Sequence, residues 1–312
     1  MQKLAIGIDI GGTNTSFGLV NRRGELIAHG KIKTNTESTV SGFIESLKTA
    51  IAPLIEQAGR QEITGVGVGA PNANFYTGEI ANAANLPWKG TIPLSRLLTE
   101  ALGFRTVVTN DANAAAIGEM TYGAAIGMKD FVMVTLGTGV GSGFVANGSL
   151  IYGHDGFAGE LGHIIAVRNG RTCGCGRKGC LETYASATGI VRSARQWLTE
   201  RTDDTLLRQQ GDAVTAHAIH EAAAAGDAFA LELFEYTGEI LGQTLADMAA
   251  ITSPQAFIFF GGLAKAGRFI LEPTQRHMEA NLLPIYRNKI SFLPSALADA
   301  DAAILGASAL VW

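Results

Sequence analysis

The sequence predicts an α/β protein of two domains, each opened by a β-hairpin turning on glycines and continued by strands that alternate with helices. Three observations carry this expectation. A strand, a glycine-rich turn and a second strand begin the chain, and the same pattern recurs near its middle. After each hairpin, short apolar runs alternate with longer segments of helical apolar spacing, the arrangement that packs helices on a sheet. The 312 residues, 47% of them hydrophobic, are enough for two domains or one large one.

The elements follow in order. Residues 4–8 read as an apolar strand leading through Asp9-Ile10-Gly11-Gly12-Thr13-Asn14-Thr15 into a second strand at 16–21. Residues 38–56 have helical spacing, 63–69 form a buried strand, 105–109 another, and the Ala-rich run 112–122 a helix behind it. The hairpin then repeats. Residues 132–136 enter Gly137-Thr138-Gly139-Val140-Gly141-Ser142-Gly143 and leave through 144–147, so that Gly11 aligns with Gly137, Ser16 with Ser142 and Asn21 with Asn147. Helices are expected at 184–199, 213–225 and 227–251, and a strand at 256–260 ends at Gly261-Gly262 before a further helix. Duplicated domains of this kind are expected to face each other across a cleft lined by both glycine turns.

Composition narrows the function. With 24 basic and 28 acidic residues the net charge is −4, and no Lys/Arg block offers a footprint for nucleic acid. No apolar run approaches bilayer length, and residues 1–20 hold Asp9 and Asn14 in a strand-and-turn pattern in place of a basic region and apolar stretch. A cytoplasmic protein with no membrane partner is expected.

Glycine turns at strand ends let backbone N–H groups close around phosphate oxygens, and Thr13 and Thr138 add hydroxyl donors. A single such turn reads equally well as a hairpin needing positive φ. Two equivalent turns, with Asp9 ahead of the first, point to a nucleotide. A strand follows each turn where a dinucleotide fold would have a helix, and no Gly-Lys-Ser/Thr is present. Gly261-Gly262 offers a third close approach, suited to an adenine or ribose, or else simply starts a helix.

Asp111, in Asn110-Asp111-Ala112-Asn113, lies where a buried strand meets a helix. The helix dipole would keep it ionised there, able to accept a hydroxyl proton in a phosphoryl transfer. The same segment reads, taken alone, as an ordinary N-cap.

All three cysteines fall in one loop, Cys173-Gly174-Cys175 and Cys180, downstream of Glu160-Leu161-Gly162-His163 and directly before Leu181-Glu182. Three thiols and an imidazole are the donor set of a closed structural zinc site. Three is an odd number for a disulfide framework, and Cys-x-Cys is poor spacing for a bridge. A zinc clamp would draw together the segments carrying Glu160 and Glu182, and carboxylates beside a fixed imidazole suit sugar hydroxyls. Either glutamate alone reads as a solvated loop charge.

Together these segments resemble the ROK family of repressors and sugar kinases over nearly the whole chain. Asp9-Ile10-Gly11-Gly12-Thr13 and Leu136-Gly137-Thr138-Gly139-Val140-Gly141 resemble its two phosphate loops, Asn110-Asp111-Ala112-Asn113 its catalytic segment, and Gly261-Gly262 its adenosine-side turn. Glu160-x-Gly-His163 with the cysteine loop resembles its zinc and sugar motif. The resemblance implies the two-domain actin-like ATPase (ribonuclease H-like) fold, with duplicated βββαβαβα-type domains. The small domain would be 1–111 plus about 300–312, ending in a helix near 301–311, and the large domain 112–299, with the zinc loop at 163–180.

The resemblance also implies roles. Asp111 would be the base activating the 6-hydroxyl of a hexose toward Mg2+-ATP, with Asn85, Asn110, Glu160, His163 and Glu182 on the other hydroxyls. Asp9 would position Mg2+ or its waters, and Gly11, Gly12, Thr13, Asn14, Gly137, Thr138, Gly139, Gly261 and Gly262 would hold the nucleotide. His163, Cys173, Cys175 and Cys180 would bind structural Zn2+. Asn14 stands where many members have Lys, and Pro71-Asn72 where many have Pro-Gly. Asn72, Asn74 and Asn85 would lie on the sugar side, and Asn85-Leu86-Pro87-Trp88 is similar to the glucose-phosphorylating branch, which places the chain in carbohydrate metabolism and glycolysis. Related kinases act on N-acetylmannosamine, N-acetylglucosamine, mannose, fructose or allose. A sugar-responsive transcriptional repressor would need a DNA-binding helix-turn-helix ahead of the first strand, which here begins at Leu4. A homodimer is expected from the family alone.

Overall fold

The computed structural model describes residues 3–83, 86–297 and 301–312. In chain order the elements are β1 (Leu4–Ile10), β2 (Asn14–Asn21), β3 (Leu26–Lys33), α1 (Val40–Ala58), β4 (Ile63–Gly69), β5 (Ile80–Ala81), β6 (Thr91–Ile92), α2 (Leu94–Leu102), β7 (Thr106–Thr109) and α3 (Asp111–Tyr122). They continue with β8 (Phe131–Leu136), β9 (Val140–Ala146), β10 (Ser149–Leu150), α4 (Glu182–Ala185), α5 (Ala187–Glu200), α6 (Ala216–Ala224), α7 (Ala228–Thr252), β11 (Ala256–Phe260), α8 (Arg268–Asn281), β12 (Ser291–Pro294) and α9 (Ala302–Ala309). No helix among the described residues is long and apolar enough to cross a membrane.

Two five-stranded sheets have the orders β3-β2-β1-β4-β7 and β10-β9-β8-β11-β12, which correspond strand for strand. This is the duplication read from the two hairpins. In the first sheet β1 is antiparallel to β2 and parallel to β4, and β4 is parallel to β7. The equivalent strands β8, β11 and β12 run parallel. Strand β3 carries no clear apolar signal, because it is an edge strand with alternating half-buried and exposed residues. It is anchored where Phe17 of β2 lies over Gly30, directly opposite in register, so the ring covers the missing side chain.

The chain divides into two compact units: Met1–Met128, Gly143–Ala158 and Ser295–Trp312 form the first, Lys129–Ser142 and Gly159–Pro294 the second. A boundary at 111/112 would have put α3 in the second. Instead α3 belongs to the first, because it packs on α9: Gly118 comes so close to Gly306 that a Cβ would lie 2.8 Å from the Gly306 Cα. Two helices also differ from the periodicity. The stretch 184–199 breaks at Ser186, which is extended and caps α5 by accepting the Gly189 N–H. The stretch 213–225 becomes helical only at Ala216, after Thr215 caps it by accepting from Ala218.

The first unit is organised around a row of glycines. Gly18, Gly7 and Gly67 stand side by side in register on β2, β1 and β4. Helix α9 lies directly on this row. A Cβ on Gly7 would meet the Ile304 carbonyl oxygen at 2.1 Å, and one on Gly67 the Ala307 oxygen at 1.8 Å. Its other side meets α3, where a Cβ on Gly306 would lie 2.5 Å from the Ala114 oxygen. Removing the side chains lets helix backbone rest on strand backbone, and α9 is composed of small residues and Ile304-Leu305 to suit. Gly67→Ala is therefore expected to destabilise the protein by about 2 kcal/mol or more, since the obstacle is backbone that cannot rotate away. Gly137→Ala, where an added Cβ meets open space at ordinary φ, should change stability little. Urea unfolding of the two variants checks the contrast.

Candidate active site

In the first unit, Asp9, the last residue but one of β1, pairs in register with Gly69, the last residue of β4. Gly69 lies between the two acids: a Cβ there would make ordinary contacts, 3.4 Å from the Ala114 Cβ, 3.8 Å from the Asp111 Cα and 3.9 Å from Asp9 Oδ1. Asp9 and Asp111 thus share one patch at the carboxyl ends of parallel strands. Burial, and then the negative charge of Asp111, push the Asp9 carboxyl up to about 6.

Geometry decides which residue caps α3. Asn110 is the N-cap, its Oδ1 accepting the Asn113 N–H at 2.7 Å. Asp111 occupies the first helical position, exposed, with Oδ1 accepting the neighbouring Ala112 N–H at 2.8 Å. The helix therefore has its cap without Asp111. Asn110 uses its oxygen structurally and keeps its amide N–H groups.

The first glycine turn closes with the Gly11 N–H donating to the Asn14 carbonyl, 3.0 Å, and the second with Gly137 donating to Gly139, 3.0 Å. None of Gly11, Gly12, Gly137 and Gly139 has positive φ, so turn conformation alone does not require glycine there. Thr13 and Thr138 are exposed, and Asn14 faces Lys33 across β2 and β3. Gly261 is different, with φ of 102° and its backbone packed on the Leu136 carbonyl. Gly262 beside it is open.

Of the asparagines expected on the sugar side, Asn85 lies outside the described residues. Asn74 is buried and committed to the fold: its Oδ1 accepts from Tyr76 and Thr77, and its Nδ2 donates to the Asp155 carbonyl at 2.6 Å. Asn72 has φ of 54°, which explains why it can replace glycine after Pro71: the turn needs a left-handed residue, and Asn tolerates that conformation.

The second unit holds the cysteine loop. Bridges Ile165↔Cys180 and Thr172↔Lys178 close it, and the Arg171 guanidinium lies over the Tyr184 ring while donating to the Thr183 carbonyl. His163, Cys173, Cys175 and Cys180 place their donor atoms within 4.8 Å of one another. Cys175 Sγ is 3.6 Å from Cys180 Sγ, and Cys173 Sγ is 3.7 Å from His163 Nδ1. A tetrahedral centre with bonds of about 2.0–2.3 Å has ligand-to-ligand edges of roughly 3.4–3.8 Å, so these donors fit a zinc ion. Burial, then the neighbouring thiols, push the Cys180 thiol up to about 12, a cost to ionisation that a divalent cation among the donors offsets. The other group of donors, His217, His220 and Glu221, lies on the outer face of α6 with two of its three residues exposed.

Both glutamates of this region are carried on segments docked to the second glycine turn. The Ser142 hydroxyl bridges the Gly159 carbonyl and the Leu161 N–H, and a Cβ on Gly162 would meet the Val140 oxygen at 2.1 Å. Glu160 thereby leads into the short helix Leu161–His163, and Glu182 opens α4. Glu182 Oε2 accepts the Val140 N–H at 3.3 Å, and Thr135 Oγ1 accepts from Gly141 at 3.1 Å. Gly69 and Thr135, which shape the two strand ends, escape motif reading because their value depends on strand register.

Residues 5–312 match the ROK family. The chain belongs to the ROK family. A glucokinase of Halalkalibacterium halodurans is 36% identical over 312 residues, covering 98% of this chain and 94% of the relative. An N-acetylmannosamine kinase of Citrobacter koseri is 32% identical over 305 residues, with 98% and 97% coverage. The crystal structure of a ROK family glucokinase from Streptomyces griseus in complex with glucose and AMPPNP matches with a TM-score of 0.81 and 35% identity over 99% of both chains. The fold of this ROK protein is the actin-like ATPase fold.

Two outcomes test the local geometry. Asn110→Ala should lose about 1 kcal/mol of stability through the lost cap, whereas Asp111→Asn should unfold at nearly the wild-type urea concentration. For Asp9, a folded pKa of about 6 against an ordinary 3.8 means that the folded state holds the extra proton. That stabilisation is complete below about pH 4 and lost as pH rises through 6. Nucleotide-free Asp9→Asn should match wild type near pH 4 and exceed its stability by about 2–3 kcal/mol at pH 8, measured by urea unfolding at each pH.

Proposed function

We propose that this ROK protein is an ATP-dependent hexose kinase that phosphorylates glucose at its 6-hydroxyl. The observation that carries the reading is Asp111: an exposed carboxylate at a helix start whose cap is supplied by Asn110, next to the strand end bearing Asp9. Support for glucose comes from relatives of 33–37% identity named glucokinase and from the neighbour solved with glucose and AMPPNP.

Asp111 accepts the proton of the 6-hydroxyl as its oxygen attacks the γ-phosphorus, and ADP departs. Asn110 offers its amide N–H groups to a neighbouring hydroxyl, while Glu160, Glu182 and His163 take others. Because His163 turns Nδ1 to the thiols, its Nε2 lies on the opposite ring edge for a sugar hydroxyl. Gly11, Gly12, Thr13, Asn14, Gly137, Thr138 and Gly139 line the phosphates. The openness of Gly137 and Gly262, with ordinary φ, supports close approach of a ligand there and at the adenosine side. Asp9 would hold Mg2+ or its waters, and that ion would neutralise charge on the phosphates. His163, Cys173, Cys175 and Cys180 would hold zinc, which would fix the loop ending in Glu182. Water competes as an acceptor, so the bound sugar is expected to exclude it from the reacting phosphate. The thiols such a site needs suit a cytoplasmic enzyme.

Mg2+-ATP with single sugars should yield ADP with glucose, and Asp111→Asn should lower kcat about 10²-fold or more while the fold persists. Faster turnover of N-acetylmannosamine than of glucose would reassign the substrate, and absence of turnover with every hexose and N-acetylhexosamine would reject the kinase reading. Purified protein should contain about one zinc per chain, and its removal should raise the KM for sugar; unchanged kinetics in zinc-free protein would separate the metal from the sugar site.

A further inference from the structure

The carboxylate of Glu182 lies in the second glycine turn. Its Oε2 accepts the Val140 N–H at 3.3 Å and stands so near Gly139 that a Cβ there would meet it at 2.1 Å. Its other oxygen faces Cys173 Sγ at 3.7 Å. An anion seated on a backbone N–H of a glycine turn occupies the kind of place that such turns offer to phosphate oxygens. Glu182 is also two residues from Cys180 and begins α4, so its backbone is fixed by the cysteine loop while its side chain retains its rotamers. The turn itself has settled geometry: Gly137 donates to the Gly139 carbonyl and Gly141 to Thr135 Oγ1.

We infer that Glu182 occupies the second phosphate turn in the sugar-free enzyme and that sugar binding draws it out. This rests on the reading of Glu182 as an acceptor for sugar hydroxyls. A hydroxyl that claims the carboxylate releases the Val140 N–H and removes a negative charge from the neighbourhood of the phosphates. Each step favours the nucleotide. The consequence is positive coupling between sugar and nucleotide within the second unit, reciprocal as thermodynamics requires. Glycine at 139 is then needed twice, for close approach of the carboxylate in one state and of a phosphate in the other.

The experiment measures the Kd of AMPPNP, with Mg2+, for the zinc-loaded protein with and without saturating glucose. Wild type should bind AMPPNP about fivefold or more tightly with glucose present. Glu182→Gln should bind AMPPNP without glucose more tightly than wild type does, and the ratio of the two Kd values should fall toward one. Gly139→Ala serves as a second variant: its φ is ordinary, its Cβ takes the place of the flexible end of Glu182, and any obstruction of the phosphate by that Cβ is present with and without glucose and so cancels in the ratio. Its ratio should also fall toward one while glucose still binds. A glucose-independent Kd in wild type, or a full wild-type ratio in both variants, overturns the inference. Wild type that phosphorylates glucose with a ratio of one refutes the coupling and leaves the kinase reading standing. If no sugar turns over, the kinase reading fails, and the sugar-free comparison of Glu182→Gln with wild type still decides whether Glu182 occupies the turn.

Discussion

Backbone brought against backbone where glycine removes the side chain is the constraint from which the first unit is built. Gly18, Gly7 and Gly67 form a level strip across three strands, and α9 lies on it closely enough that its carbonyl oxygens occupy Cβ positions. Through Gly306 and Gly118 the same helix sets the height of α3. Since Asp111 is the first residue of α3, a residue near the chain's end positions a carboxylate in its first half. The position of that carboxylate is thus a packing result, with Gly69 between it and Asp9.

The second unit uses the same device for a different purpose. Gly162 allows the Glu160–His163 segment to lie on the Val140 carbonyl, and Gly139 admits the Glu182 carboxylate. The donors His163, Cys173, Cys175 and Cys180 gather the ends of a loop that is closed by its own backbone hydrogen bonds, among them Cys173 to Arg177 and Gly179 to Arg171. A small loop with little apolar burial gains order from a metal that it could not gain from packing. The segments carrying Glu160 and Glu182 are in this way brought to one strand, β9, which follows the second glycine turn.

Charge sets the chemistry of the first unit. Asp9 and Asp111 are close enough for one to raise the pKa of the other, and Asp9 is the more buried of the pair. A cation between phosphates and carboxylates would relieve that repulsion, so the patch is disposed toward a metal-bound polyanion. Asp111 is exposed and stands at the positive end of α3, whereas the Asp9 carboxyl is withdrawn from water.

Much of this was legible in the sequence because it depends on local pattern. Apolar runs located most strands and long helices, the recurrence of Gly11 as Gly137 exposed the duplication, and the spacing of His163 and the cysteines specified a donor set. What required tertiary structure were matters of register and approach. Strand β3 is an edge whose residues are half buried, so its composition says little. Whether Asn110 or Asp111 caps α3 depends on one dihedral, as does the substitution of Asn72 for glycine. Asn74, chemically suited to a hydroxyl, spends its amide on Tyr76, Thr77 and Asp155. The donor types gathered around His163 and the two glycine turns were determined by the sequence alone, since they follow from residue types at short spacing. Which glycines serve the fold and which lie open, and the seat of Glu182 in the second turn, were decided by residues distant in sequence meeting within a few ångströms.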